Sequence, residues 1–237
     1  MDNYAGFDTK VYPKISMMTW LRSNSNLSWC GYYLAPAPNH GDNSWMGSYG
    51  LLRDDWGVAA IYVGQQDPST GHGGYTPSSV LTAAQGGIDA LDAVALTKNE
   101  GFPAGSAIYL DWESGGLDAD GATDYVREWI RGVAGSQTFV PGIYCSHVIA
   151  NAVVSEIDKI DPTPDVRFWC WKVPSADPHD FEGDISVLPT PNPGGCGFSP
   201  ATAWQREQRA LMTFANGAPI KSLELDISTS TRASPST

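Results

Sequence analysis

Basic residues and long apolar runs are both scarce in this chain of 237 residues. Lys and Arg total 14 against 26 Asp and Glu, which gives a formal net charge of −12. This balance argues against nucleic acid as a partner, because phosphates are bound by basic surfaces. It also argues against electrostatic docking on anionic membranes. Since no uninterrupted apolar run is long enough for a transmembrane helix, we expect no membrane insertion.

The amino terminus, "MDNYAGFDTK", lacks the basic and apolar regions of a secretory signal peptide. Three interpretations stay open at this point: a mature fragment with an added Met, a cytosolic protein, or a protein exported by a route that needs no signal. The cysteine content does not distinguish these interpretations, because four cysteines are compatible with an oxidising and with a reducing compartment.

Cysteine and histidine are also few, and they show no metal-binding spacing. There is no CxxC or Cys/His pattern, so we expect neither a metal nor a cofactor. Four cysteines allow three full pairings. Cys170 with Cys196 is the pair that would tie a long loop to a strand end, and four free thiols are the alternative.

Short apolar runs bounded by Gly, Pro or Asp alternate with stretches of helical periodicity. The predicted strands are 3–8, 28–35, 57–64, 106–113, 138–145, 166–173, 201–205 and 222–228. The predicted helices are 15–23, 44–55, 76–100, 118–135 and 146–160. Eight alternating strands predict a single-domain α/β protein with a (β/α)8 barrel of the TIM type, and a doubly wound sheet is the alternative.

The predicted barrel domain covers 1–228, and the polar tail 229–237 is predicted to be disordered. Residues 174–200 are rich in Pro, Gly and Asp and are predicted to form one long loop. The glutamine-containing segment that follows the third strand is predicted to fold over the barrel mouth as a lid, with a surface loop as the alternative.

The fourth strand, "IYLDWE", ends in two acids. Asp111 and Glu113 are two positions apart, so they share one face of the strand. We expect both to point into the barrel, while Ile108, Leu110 and Trp112 pack outward on helices. Barrel enzymes carry their chemistry at the carboxyl ends of the strands, which is where these acids lie.

Two further acids occupy equivalent positions in the first and last strands. Asp8 ends "YAGFD" and Asp226 ends "LELD", and the first and last strands of a closed barrel are neighbours. Each acid taken alone is as well explained by helix capping or loop bonding. Together with the D-x-E pair they favour an acid/base site. Glu224 shares a face with Asp226 and is expected deeper in the barrel.

Six other polar or aromatic residues lie at or just after predicted strand ends, where they are candidates for substrate binding. Packing in the core, or a place on a surface loop, is the alternative for each of them. They are Tyr33, Tyr62, Tyr144, Trp171, Gln205 and Gln65.

The motifs "GFDTK", "GYYLA", "IYLDWE", "GIYCS", "FWCWKV", "AWQ" and "LELD" occur in this order along the chain. In this order they resemble DUF1906, the Rv2525c-like glycoside hydrolase-like family, which is itself similar to the family 25 lysozymes (muramidases). The resemblance implies a β/α barrel with Glu113 as general acid and Asp111 as the stabilising carboxylate. Asp8 and Asp226 would tune and position them.

The function expected from this resemblance is hydrolysis of an aminosugar polymer, with cell-wall peptidoglycan as the first candidate substrate. An exported or extracellular monomer that binds a glycan is the corresponding expectation for location and partners. Two alternatives stay open: a barrel that binds glycans without cutting them, and an interaction or toxin module that kept the fold.

Overall fold

The computed structural model describes residues 2–67, 80–113, 116–214 and 217–237. Within them, strands β1 to β6 lie side by side in sequence order, and β8 and β9 complete a closed barrel by pairing with β6 and β1. The predicted single-domain α/β barrel is therefore confirmed. The strands are β1 (Tyr4–Asp8), β2 (Leu27–Tyr33), β3 (Gly57–Val63), β4 (Ala107–Trp112), β5 (Val140–Ser146), β6 (Arg167–Trp171), β7 (His179–Asp180), β8 (Ala203–Thr213) and β9 (Ser222–Ser230).

The last strand departs from the regular TIM pattern. β1 to β6 and β8 run parallel, whereas β9 is antiparallel to both of its neighbours, β1 and β8. The connection between β8 and β9 covers residues 214–221, fewer than the roughly dozen residues that a parallel crossover requires. The two strands therefore form a long hairpin, and β8 extends well past the predicted end at Gln205.

Helices pack around the strands as the outer layer. They are α1 (Ile15–Asn24), α2 (Tyr49–Leu52), α3 (Ala83–Asn99), α4 (Ala122–Gly135) and α5 (Ala150–Ile157). The prediction began the third helix at 76, but α3 begins at Ala83, where the Thr82 side chain accepts a hydrogen bond from the Gln85 N–H. Residues 76–79, with which the predicted helix begins, lie outside the described residues. No helix in the described part of the chain has the length and apolar character needed to cross a membrane.

The side chains of β4 alternate between two apolar layers, as predicted. Ile108, Leu110 and Trp112 pack outward against the helices, whereas Tyr109 packs inside the barrel. At the centre of the interior, Trp169 meets Trp29, Tyr109 and Tyr144 edge to face, with ring centroids 5.2, 5.8 and 5.3 Å away. Because large rings fill the interior, a polar site has room only at an end of the barrel.

The segment 231–237, together with the end of β9, differs from the predicted disordered tail. It folds under the amino-terminal end of the barrel, where Ser236 is fully buried. The Ser236 hydroxyl donates to the Ala107 carbonyl (2.7 Å) and accepts from the Ala60 N–H (2.8 Å). The Tyr109 hydroxyl donates to the Pro235 carbonyl (3.0 Å). Hydrogen bonds to the strand ends therefore order a segment whose composition is that of a loop.

The predicted long loop at 174–200 holds only β7 and two short 3-10 turns, Ile185–Val187 and Pro193–Cys196. All four cysteines are buried free thiols. Cys170 and Cys196 do lie beside each other, as their proposed pairing required, but no disulfide joins them.

Candidate active site

A cavity of about 1050 Å³ opens at the carboxyl ends of the parallel strands. Its wall contains all four of the acids expected to form the site, and Glu224 in addition. The four are Asp8, Asp111, Glu113 and Asp226. The closed barrel thus brings together residues that are widely separated in the sequence.

Pairing between strands sets the level at which each acid lies. Asp8 on β1 is directly opposite Asp226 on β9, and Asp111 on β4 is flanked by Val63 on β3 and Tyr144 on β5. Val63 and Tyr144 also line the cavity, so this level of the barrel forms its floor.

The antiparallel direction of β9 corrects two expectations. Asp226 lies within its strand, not at the end, and reaches the mouth only because β9 enters the barrel from that side. For the same reason Glu224 lies above Asp226, on the outer rim, where it is half exposed and 3.5 Å from Nε of Arg209. The expectation that Glu224 lies deeper in the barrel was wrong because it assumed a parallel strand.

Burial perturbs the ionisation of three of the acids. Asp8 and Asp111 are each only 4% exposed. Burial raises the pKa of both well above the usual range, and repulsion from neighbouring acids adds to it: Asp226 for Asp8, and Glu113 for Asp111. Burial also raises the pKa of Asp226 to about 7, against the lowering effect of the Arg209 N–H. Near neutral pH the mouth therefore holds protons that exposed carboxylates would have lost.

Two chains of hydrogen bonds support the acids. The Tyr33 hydroxyl donates to Oδ1 of Asp8 (2.8 Å). The Tyr144 hydroxyl donates to Oε1 of Gln205 (2.6 Å), whose Nε2 donates to Oδ2 of Asp226 (3.1 Å).

The backbone N–H of Arg209 donates to Oδ1 of Asp226 (2.6 Å), so both oxygens of that carboxyl have donors. Oδ2 of Asp8 and Oδ1 of Asp111 are buried without a hydrogen-bond partner. A protonated carboxyl or a bound ligand would relieve that arrangement.

Of the six candidate binding residues, three line the cavity and one supports it. Tyr33, Tyr144 and Trp171 form part of the wall. Gln205 is buried and donates a hydrogen bond to Asp226, so it supports one of the acids.

Tyr62 and Gln65 face the helices. The Tyr62 hydroxyl donates to Oδ2 of Asp92 (3.0 Å) on α3, because its neighbour Val63 is the residue of β3 that points inward. Gln65 donates to Oδ2 of Asp89 (3.4 Å), also on α3. Both residues were selected because they lie at or just after the end of a predicted strand, without regard to the face of the strand on which they lie. The alternation of side chains along β3 would have excluded Tyr62. Most of the lid predicted after Gln65 lies outside the described residues.

The wall residues that were not predicted from the sequence include three basic side chains, those of Lys10, His40 and Arg209. His40 stacks on Tyr33 with ring centroids 4.8 Å apart, and burial lowers its pKa, which favours the neutral imidazole. Lys10 could have been predicted as a wall residue, because it lies two positions after Asp8 in "GFDTK". Arg209 could not have been predicted as a wall residue, because it lies beyond the predicted end of its strand.

No group of three or more His, Cys, Asp or Glu side chains in the described ranges could hold a metal ion.

The sequence matches the family of Rv2525c-like, glycoside hydrolase-like domains over residues 20–213. The chain belongs to this family. No curated protein matches it.

Several solved structures share the barrel. A Bacillus stearothermophilus protein of uncharacterised function is 15% identical, with a TM-score of 0.60 over 97% of this chain and 96% of that one. The Tat-secreted Mycobacterium tuberculosis protein Rv2525c, solved in complex with HEPES, is 14% identical, with a TM-score of 0.55 over 98% and 96%. The Clostridium perfringens spore cortex-lytic enzyme SleM is 12% identical, with a TM-score of 0.58 over 98% and 68%. At these identities the similarity shows the fold.

Proposed function

We propose that the protein is a glycoside hydrolase that acts on an aminosugar polymer, with cell-wall peptidoglycan as the first candidate. The observation that carries the proposal is the convergence of four carboxyl groups in one cavity, two of them with a buried oxygen that has no partner. Membership of a glycoside hydrolase-like family and the shared fold with a spore cortex-lytic enzyme support the same reaction class.

Hydrolysis of a glycosidic bond passes through an oxocarbenium-like transition state, which requires one protonated carboxyl and one carboxylate nearby. Glu113 is the proposed general acid, which donates its proton to the leaving oxygen, and it is less buried than Asp8 and Asp111. Asp111 is the proposed stabilising group. Although its pKa is raised in the free protein, positive charge developing on the sugar favours its ionised form.

Asp8 and Asp226 are proposed to tune and position this pair. They face each other across β1 and β9, and each raises the cost of ionising the other groups in the mouth. Tyr33 and Gln205 hold them in place through the hydrogen bonds described above.

The proposed substrate would be held by shape and hydrogen bonds, because the chain is strongly acidic. Tyr33, Tyr144 and Trp171 offer aromatic faces and hydroxyls of the kind that bind sugar rings. Peptidoglycan lies outside the cytoplasmic membrane, so the proposed location is exported or extracellular. The Tat-secreted relative Rv2525c supports this placement, and the proposed working form is a monomer.

A second candidate is a barrel that binds glycans without cutting them. The raised pKa values of Asp8 and Asp111 favour this candidate, because a protonated carboxyl donates a hydrogen bond to a sugar oxygen without any proton transfer.

Release of new reducing ends from purified peptidoglycan and from chitin oligomers separates the two candidates. We expect Glu113→Gln to lower the rate by about 10²–10⁴-fold while the glycan is still retained, because only proton donation is lost. Glu128→Gln is the matched control, since Glu128 forms a surface ion pair with Arg131 on α4. Retention of glycan by a wild-type protein that releases no reducing ends would favour the binding candidate. A wild type that neither retains glycan nor releases reducing ends would exclude both candidate functions.

A further inference from the structure

Gln66 is a fully buried side chain just beyond the end of β3, and it contacts the backbone of the D-x-E segment. Its Nε2 donates to the carbonyl oxygen of Asp111 at 2.6 Å. Its Oε1 accepts from the backbone N–H of Glu113 at 3.1 Å. One side-chain amide thus binds the main chain on both sides of Trp112.

These two backbone groups are the ones that a parallel neighbouring strand would use. In a parallel ladder, one residue donates its N–H to the residue before its partner and accepts from the residue after it. The carbonyl of Asp111 and the N–H of Glu113 are the pair that a residue opposite Trp112 would engage. The amide of Gln66 reproduces that pattern with a side chain.

The true ladder between β3 and β4 ends just before this position. Its last pair joins Val63 to Asp111, and the chain then leaves the sheet, with the Gly64 carbonyl bound by the Asn39 side chain. On the other side, Trp112 still pairs with Cys145 of β5. Gln66 therefore completes the pairing of β4 on the side where the backbone of β3 has departed.

We propose that Gln66 is the positioning residue of the acid pair. Gln66 adds one more pair of hydrogen bonds to β4 after Asp111. This pairing keeps Glu113 in the extended conformation of the strand, so that both acid side chains project into the mouth. That Glu113 thereby gains catalytic geometry rests on the proposed function, whereas the backbone restraint itself does not.

Glutamine suits this task for a chemical reason. A primary amide carries a donor and an acceptor in one plane, as a peptide group does. Glutamate offers no donor when ionised and would place an oxygen against the Asp111 carbonyl. Asparagine has the right group on a side chain that is one methylene shorter.

Amide hydrogen exchange tests the backbone restraint without any need for activity. We expect the Glu113 N–H to be protected in the wild type and to exchange roughly tenfold faster in Gln66→Met, which is similar in length but has no amide. The N–H groups of Tyr109 and Leu110, earlier in the same strand, should not change. The matched control is Gln85→Met. It removes the hydrogen bond that the Gln85 side-chain amide donates to Oδ1 of Asp89 on α3, away from the mouth.

Two results would overturn the proposal: a Glu113 N–H unprotected in the wild type, or one whose exchange is the same in Gln66→Met. If Gln66→Met does not fold, Gln66→Asn carries the same comparison, because it keeps an uncharged amide on a side chain one methylene too short to reach both backbone groups.

Kinetics then separate positioning from general destabilisation. If the protein hydrolyses peptidoglycan, Gln66→Met should lower kcat by roughly 10–100-fold with KM changed by less than about threefold, because misplacement of Glu113 affects the transition state and not sugar binding. Gln85→Met should change neither. A loss confined to KM would contradict the positioning role. A wild type without activity would refute the proposed function and leave the exchange result to decide the role of Gln66.

Discussion

The two ends of the barrel close the same aromatic interior in opposite ways. At the base, the segment 231–237 places Ser236 against strand ends and gives its hydroxyl both a donor and an acceptor. At the mouth, Asp8 and Asp111 are equally hidden from solvent, yet each keeps one oxygen without a partner. The base also holds buried polar atoms without a partner, on Ser106 and Arg167, but those of Asp8 and Asp111 are carboxyl oxygens of residues that line the cavity at the mouth.

Charged residues show the same contrast. The base also has a cavity, of about 400 Å³, and its wall includes Arg53 and Asp54. Their side chains are 57% and 87% exposed, so water solvates them. At the mouth, burial of Asp8 and Asp111 raises the pKa of both. The difference teaches that burial of carboxyl groups, and not the presence of charge, distinguishes the candidate site from the cavity at the base.

Asp111→Asn is expected to have the largest effect, and opposite effects on activity and stability. Turnover should fall by about 10²–10⁴-fold, since the stabilising carboxylate is lost. The free energy of unfolding should rise by on the order of 1 kcal/mol near neutral pH, because burial and three neighbouring acids disfavour ionisation of Asp111 in the folded state, a cost that an Asn side chain does not have. Rates of reducing-end release and urea unfolding measure the two effects. A variant that lost both activity and stability would show that Asp111 is structural, and would break the contrast between the two ends.

Ser236→Ala should give the converse result at the base. The Ala60 N–H and the Ala107 carbonyl would lose a partner in a dry environment, which costs about 1–3 kcal/mol in the free energy of unfolding. Turnover by the folded protein should not change. Ser155→Ala, on the exposed face of α5, is the control and should stay within about 0.5 kcal/mol of the wild type. Equal urea midpoints for both variants would mean that the segment 231–237 is not part of the folded core.

Most of the barrel could be predicted from the sequence, because each parallel strand is a short apolar run bounded by Gly, Pro or Asp. In β4 the alternation also separated the inward from the outward side chains correctly. The direction of β9 could not be read from its residues, since an antiparallel and a parallel strand show the same alternation. The short connection at 214–221 carries that information, but the predicted strand ended at Gln205, which left 206–221, long enough for a parallel crossover.

The convergence of the four acids could be predicted because it depends on strand ends and barrel closure alone. The role of the segment 231–237 could not, since hydrogen bonds bury it and its polar composition is typical of a loop. Gln66 was missed for a related reason. A side chain that substitutes for a strand residue leaves no periodic pattern, and Gln65, its neighbour, looks the same in the sequence while facing the helices.

Asp226→Asn should give the smallest effect and should sharpen the comparison through pH. The pKa of Asp226 is raised from 3.8 to about 7, so the folded state retains a proton that the unfolded chain loses near pH 4. Its contribution to stability is therefore full below about pH 4 and is lost as the pH rises through about 7. The variant does not show this loss of stability with rising pH. Its Asn side chain fits the site when the Gln205 amide rotates, so that the Gln205 NH₂ group donates to the Tyr144 oxygen.

The advantage of Asp226→Asn over the wild type should therefore grow from pH 5 to pH 8, by on the order of 1 kcal/mol. Urea unfolding of both proteins at several pH values measures it. The lowered pKa of His40 gives a dependence of the opposite sign below about pH 6.5, but it is common to both proteins and cancels in the difference. A difference that stays constant or shrinks with rising pH would mean that Asp226 is ionised at the mouth from low pH. Burial would then not perturb the ionisation of Asp226, and the contrast in charge between mouth and base would rest on Asp8 and Asp111 alone.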